Sequence, residues 1–177
     1  RETSILSDKW VLWAHLPHDT DWSLTSYIKI MQISTVEDII SLINSVPALM
    51  VKNCMLFLMR KDINPTWEDP KNSEGGCFSF KVSNKNVPSV WKSLSYLLTG
   101  ETLSNDSKFQ ESITGITISP KKSFCILKIW LSSLNYQNPR CFTTRHTTPI
   151  TFTNLYIQPQ RTVSQPVLNS FTIESVS

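Results

Sequence analysis

The chain predicts an α+β fold built on a mostly antiparallel sheet, and three observations predict it. Eight short apolar runs, several with alternating polarity, read as strands. Only two segments carry helical periodicity. One four-residue turn, Pro120-Lys121-Lys122-Ser123, joins two of the runs directly as a hairpin. With 177 residues, 40% hydrophobic and 18% charged, there is material for one domain with a real core. No internal repeat or dividing linker is present, so residues 1–177 read as one unit, with 1–8 a flexible leading segment.

In chain order, Lys9 to Ala14 is the first strand. His15 to Ser23 is a polar loop holding Pro17, Asp19 and Asp21, with Trp22 at its end, and Ser26 to Ile33 is the second strand. Ser34-x-x-Glu37 fits a capping box, and the acids that follow suit the positive end of a helix. Val36, Ile39, Ile40 and Ile43 give that helix one apolar face, and Pro47 ends it. Met55 to Met59 is a buried strand. Gly75-Gly76 marks a tight turn before the alternating strand Cys77 to Val82. Pro88 opens a second helix, where its missing N–H costs nothing, and Val90, Trp91, Leu94, Leu97 and Leu98 form its core face up to a Gly100 cap. Ile113 to Ser119 and Phe124 to Leu131 pair across the lysine-tipped turn. Beyond Leu131 the pattern weakens, and Thr151 to Ile157 and Asn169 to Val176 read as two last strands.

Several functional classes are disfavoured. No apolar run reaches the roughly 18 residues that span a bilayer, and the N-terminus has no signal-peptide pattern. Cys54, Cys77, Cys125 and Cys141 lack zinc-ligand spacing with one another or with the three histidines, so no metal or cofactor is expected. The scattered thiols read as reduced and cytosolic. Net charge is only +3, but no Asp or Glu occurs from Ser112 to Ile173, a stretch that carries Lys121, Lys122, Lys128, Arg140, Arg145 and Arg161. A one-sided basic surface suits an anionic partner, and a solvated basic face is the plain alternative.

The most informative segment is Pro65-Thr66-Trp67-Glu68-Asp69-Pro70. Two prolines make it a loop and not a central strand. An exposed indole face can stack on a flat ring while the neighbouring carboxylate accepts two parallel N–H bonds from that ring's edge. This pairing describes a site for a guanine-like base, more so if the base is positively charged. Six tryptophans stand in the chain, and Trp10, Trp13 and Trp91 read as core.

The order of these pieces resembles the translation initiation factor 4E family. Trp10-Val11-Leu12-Trp13 is similar to the family's opening W-x-L-W, and Trp22 to the Trp closing the first long loop. Thr35-Val36-Glu37-Asp38, then Ile63-x-Pro65-x-Trp67-Glu68-Asp69 with Asn72 and Gly75-Gly76, then Trp91 through Gly100-Glu101, and finally Trp130 follow at near-family spacing. The resemblance implies a curved antiparallel sheet with two or three helices on its convex face. It implies binding of the 7-methylguanosine 5′ cap of messenger RNA on the concave face, without bond-breaking chemistry, by a cytoplasmic monomer. Trp22 and Trp67 would sandwich the base, Glu68 would read its edge, and Trp130 would touch the N7-methyl group. Lys121 would meet the triphosphate, with Lys122, Lys128 and Arg161 as further phosphate candidates.

The chain departs from the family pattern in ways that bear on partners. Ile40 stands where the family has a Trp that anchors the scaffold factor and its competing repressors, and Lys92 stands where an apolar contact is usual; Val36 is kept. A helix-in-groove partner would meet a reshaped pocket. Cys77 and Ile126 replace basic residues, for which Lys128, two residues from Trp130 on the same strand face, can compensate. Residues 132–177 form the divergent part, with the family's third helix short or lost. Ile40 also reads as a plain core residue of its helix. Two other readings stand beside recruitment of capped messages: a divergent cap-binder that sequesters them or uses a non-standard scaffold, and an aromatic groove for proline-rich peptides.

Overall fold

Alternation with a period of two sorts the strand residues onto two faces and so builds the sheet. The computed structural model describes residues 2–136, 141 and 142, and the backbone of 156–159. Among these, seven strands form one sheet: β1 (Ile5–His15), β2 (Ile28–Thr35), β3 (Met55–Arg60), β4 (Gly76–Ser83), β5 (Ile113–Pro120), β6 (Phe124–Leu131) and β7 (Tyr156–Pro159). Their spatial order is β2-β1-β3-β5-β6-β4-β7, and every neighbouring pair is antiparallel. The predicted fold class holds.

Leu12, Ala14, Leu56, Leu58, Phe78, Phe80, Ile116, Ile118, Leu127 and Ile129 point to one face and join the main core. That core is closed by α1 (Val36–Ser45), α2 (Ala48–Asn53), α4 (Val87–Thr99) and α5 (Ser107–Ser112). The alternate residues, Phe57, Met59, Cys77 and Trp130, form a smaller cluster on the opposite face with Ile63. A short α3 (Pro70–Ser73) follows the Trp67 loop. Two faces with different fates explain the sequence pattern: one is a core against helices, and the other carries the site.

Several boundaries move. β1 begins at Ile5, so residues 5–8 belong to the sheet and not to a flexible segment. α2 and α5 were not predicted: six residues are too few to display a helical period. The capping box falls one residue later than expected. Thr35 is the N-cap; its Oγ1 accepts from Asp38 N at 3.1 Å, while the Asp38 carboxylate accepts from Thr35 N at 3.0 Å and Ser34 N at 2.9 Å. Glu37 turns instead toward Ser4 N. Hydrogen bonds from the Ser34 and Thr35 amides, the Ser34 amide foremost, hold the Asp38 carboxyl below its ordinary range. The group is therefore depressed in the folded state, and its stabilisation is present at neutral pH and fades as the pH falls through the folded value. We expect Thr35→Ala to cost about 0.5–2 kcal/mol of stability, measured by urea unfolding at pH 7.

The helix α1 also turns differently from its predicted face. Ile39 and Leu42 are buried, whereas Ile40 is 44% and Val36 37% exposed. Ile40 is thus not a core residue. At the end of α4, Gly100 is the C-cap with φ −80°, and the left-handed conformation falls on Glu101 at φ 55°. Gly75 is required by close approach, since a Cβ there would collide with the carbonyl of Leu131 where β4 meets β6. The β7 strand overlaps the predicted run 151–157. The predicted strand 169–176 and the region expected to hold a shortened third helix lie outside the described residues, apart from the turn at 132–136.

Candidate functional site: an aromatic cleft on the open face

The loop between β3 and α3 is fixed from within. Asp69, 8% exposed, accepts from Asn64 N at 2.8 Å and from Lys71 N at 2.9 Å. The buried Asn72 donates its Nδ2 to Asn64 O at 3.1 Å and to Thr66 O at 2.8 Å. These bonds satisfy the backbone of a loop that cannot pair with the sheet. They hold Trp67 and Glu68 on the front face, with Asp69 as the brace of the loop.

A cavity of about 470 Å³ opens on this face. Trp22, Trp67, Glu68, Trp130, Lys121 and Lys128 all line it, as do Tyr27, Phe57, Ser79, Thr117 and Ser119. Glu68 is exposed, and both ion pairs among the described residues are made by Arg60, so neither uses its carboxylate. Burial, helped by the charge of Glu68, pushes the Tyr27 hydroxyl above its ordinary pKa. Glu68 therefore already shapes the potential at this end. Lys128 Nζ lies 5.5 Å from the centre of the Trp67 ring. Lys122 is exposed at the hairpin tip and does not line the cavity. Arg161 lies outside the described residues.

The rings are arranged differently from the simplest expectation. Trp67 stacks on Trp130 at 3.7 Å with planes 3° apart, and Trp22 stacks on His15 at 3.9 Å, also at 3°. Trp130 is only 2% exposed and donates its Nε1–H to Thr117 Oγ1 at 3.2 Å. Trp130 thus lines the cavity and at the same time forms the bed on which Trp67 lies. Trp22 is 55% exposed on its free side. Each of the two outer indoles therefore has one face held by a partner ring, and Lys128 Nζ also lies over the Trp67 ring.

His15 was missed by the sequence reading. It is buried, its Nε2 lies 2.7 Å from Asp21 O, and it meets Tyr27 edge-on at 5.1 Å. The period-two count from Trp13 places residue 15 on the front face, and that was the available signal. Asp21 has its carboxyl held low by the Ser23 amide and hydroxyl, a turn that sets the Trp22 backbone. On the opposite face of the molecule, Val36, Ile40 and Lys92 are exposed on α1 and α4, with Lys92 Nζ 6.0 Å from the Tyr96 ring.

No group of three or more His, Cys, Asp or Glu able to hold a metal occurs among the described residues, and no helix among them is long and apolar enough to cross a membrane. Fold and cleft together define an α+β protein whose open sheet face carries an aromatic cleft lined also by an acid, Glu68, and two lysines, Lys121 and Lys128. Residues 5–148 match the family model of eukaryotic initiation factor 4E. The chain is 41% identical over 83 residues to the translation initiation factor 4E homolog of Acanthamoeba polyphaga mimivirus, covering 46% of this chain and 27% of that one. It is 31% identical over 136 residues to the translation initiation factor 4E of Eremothecium gossypii, covering 73% and 63%. Among solved structures it is similar to schistosome eIF4E complexed with m7GpppG and 4E-BP, with a TM-score of 0.69, 27% identity, and 77% and 76% of the two chains covered. The chain spans less than two thirds of the length of these two sequence relatives. It belongs to the eukaryotic initiation factor 4E family.

Proposed function

We propose that this protein binds the 7-methylguanosine 5′ cap of messenger RNA and recruits capped messages for translation initiation in the cytoplasm. One observation carries the reading: Trp22, Trp67, Glu68, Lys121 and Lys128 border a single cavity. Methylation at N7 leaves guanine with delocalised positive charge. Each indole face attracts such a cation by about 0.5–2 kcal/mol. The Glu68 carboxylate is suited to accept the N1–H and N2 amino hydrogens, a charge-assisted pair worth about 1.5–3 kcal/mol. Lys121 and Lys128 supply the salt-dependent attraction for the phosphates. None of these roles breaks a bond, so the protein is a binding factor and not an enzyme. A proline-rich peptide would make no use of Glu68 or the lysines.

A second reading, sequestration or a non-standard scaffold, rests on the exposed Ile40 of α1 and the exposed charge of Lys92 on α4. A scaffold or repressor peptide that inserts an apolar helix there would meet Val36 and Ile40 but also a solvated cation. Sub-micromolar binding of a scaffold-factor peptide would exclude this second reading. The primary test is a tryptophan-fluorescence titration with methylated and unmethylated guanosine triphosphate. Two cation–π interactions, about 1–4 kcal/mol together, predict a preference of about 5- to 700-fold for the methylated form. Equal affinities would overturn the cap reading.

A further inference from the structure

The front face continues past the cleft, and two of its residues there, Lys81 and Phe124, do not line the cavity and are unused by the cap reading. On β6 the alternation that puts Trp130 and Lys128 in the cleft also puts Ile126 and Phe124 on the same face. Ser79, Lys81 and Ser83 of β4 stand opposite Lys128, Ile126 and Phe124, and Thr117 and Ser119 of β5 stand opposite Lys128 and Ile126 on the other side. Lys81 is exposed, and its Nζ sits 4.1 Å from the centre of the Phe124 ring. The turns at this end add Lys85, Lys121 and Lys122. No Asp or Glu occurs among the residues of β4, β5 and β6 or in the turn that joins β5 to β6. β7 covers the edge of β4 only from Gly76 to Ser79, so among the described residues the edge beside Lys81 is open.

We propose that Lys81 and Phe124 form a subsite for the message body: the nucleotide that follows the triphosphate bridge. The inference rests on the cap reading and extends it. Six residues of strand separate Trp130 from Phe124, about 20 Å at the usual rise. That interval, marked by Lys128 and flanked by Lys121, is where the phosphates of a capped strand would run. A strand leaving the cleft in this direction next meets a lysine poised over an aromatic ring. A cation that meets phosphate beside a ring on which a base stacks is the combination that holds single-stranded nucleic acid without sequence preference. The subsite holds the sugar-phosphate chain and the face of a base, so any of the four bases fits.

The test uses the full chain and two ligands, 7-methylguanosine triphosphate and a short capped oligoribonucleotide, titrated against the wild type, Lys81→Gln and Phe124→Leu. Both substitutions keep most of the side-chain bulk, and thermal melting checks that the fold is retained. The wild type is expected to bind the oligonucleotide several-fold more tightly than the triphosphate. Phe124→Leu is expected to lower oligonucleotide affinity about 5- to 100-fold, as removal of one stacking platform requires, and to leave triphosphate affinity within twofold. Lys81→Gln is expected to flatten the salt dependence of oligonucleotide binding by about 0.7 in the log–log slope, because one fewer phosphate is neutralised. Unchanged oligonucleotide binding in both variants, or equal losses for the two ligands, would overturn the subsite and leave the cap site standing. No triphosphate binding by the wild type would overturn both.

Discussion

Replacing Trp67 by alanine is expected to lower affinity for 7-methylguanosine triphosphate about 10- to 100-fold. Stacking on an aromatic ring is worth about 1–3 kcal/mol per base, and each 1.4 kcal/mol is a factor of ten in Kd. The arrangement of the rings sharpens the estimate. Trp67 lies flat on the buried Trp130, which in turn is tied to Thr117. The ring is therefore held before any ligand arrives, and little ordering cost is set against the stacking energy. The same bed limits the loss, because truncation at residue 67 uncovers the Trp130 face and gives a base something to lie on. Trp67→Phe keeps an aromatic face and should fall between the two. Calorimetry is the suitable measurement, since removing an indole alters the fluorescence signal itself. Affinity within twofold of wild type would remove Trp67 from the site.

How much of this was readable beforehand depends on the range of each interaction. The Trp67 loop was legible because its constraints are local: two prolines exclude it from the sheet, and Asp69 and Asn72 reach only a few residues back. Lys121 and Lys128 were legible through a hairpin turn and a period of two. The stacks were not, because nothing in the neighbourhood of His15 says that the loop after it folds Trp22 back onto its ring. For the same reason nothing local says that the Trp130 indole supports Trp67 from below while it lines the cavity. The one-residue error in the capping box has a simpler cause. Ser34 and Thr35 both suit an N-cap, and three residues on from each stands an acid, so only the end of β2 decides between them.

The longest-range feature was the least visible, and it carries the largest expected effect on stability. Arg60 ends β3 and is 14% exposed in its side chain. Its guanidinium donates Nη1 to Asp8 Oδ2 and to Glu101 Oε1, both at 2.7 Å, and Nη2 to Glu101 Oε2 at 3.0 Å. Nε donates to Ile113 O at 2.7 Å and Nη2 to Gln110 O at 3.2 Å, while the group lies 4.4 Å from the centre of the Trp10 ring. One side chain thus ties the start of β1, the end of α4, and the join of α5 with β5. Burial works against its charge, but hydrogen bonds to Glu101 and Asp8 outweigh it and hold the group above its ordinary pKa. Glu101 is kept in the left-handed region, which costs a residue with a Cβ about 1–2 kcal/mol, and its bonds to Arg60 and Gln110 help to offset that cost.

Arg60→Ala is accordingly expected to destabilise the protein by about 3–5 kcal/mol, because it leaves the partly buried Glu101 carboxylate without its cation, with Gln110 Nε2 as its remaining side-chain donor, and removes a charged donor from each of the Ile113 and Gln110 carbonyls. At roughly 2–4 °C per kcal/mol for a chain of this size, the melting temperature should fall by about 10 °C. Asp8 is 45% exposed, so Asp8→Ala should cost less than about 1 kcal/mol. Arg60→Lys keeps the charge but loses the two-pronged grip on Glu101, and should lie between the two. Urea unfolding of the three variants gives the comparison. A loss below about 1 kcal/mol for Arg60→Ala would mean that water replaces the guanidinium at no cost, and the ionic hub would then be a surface feature.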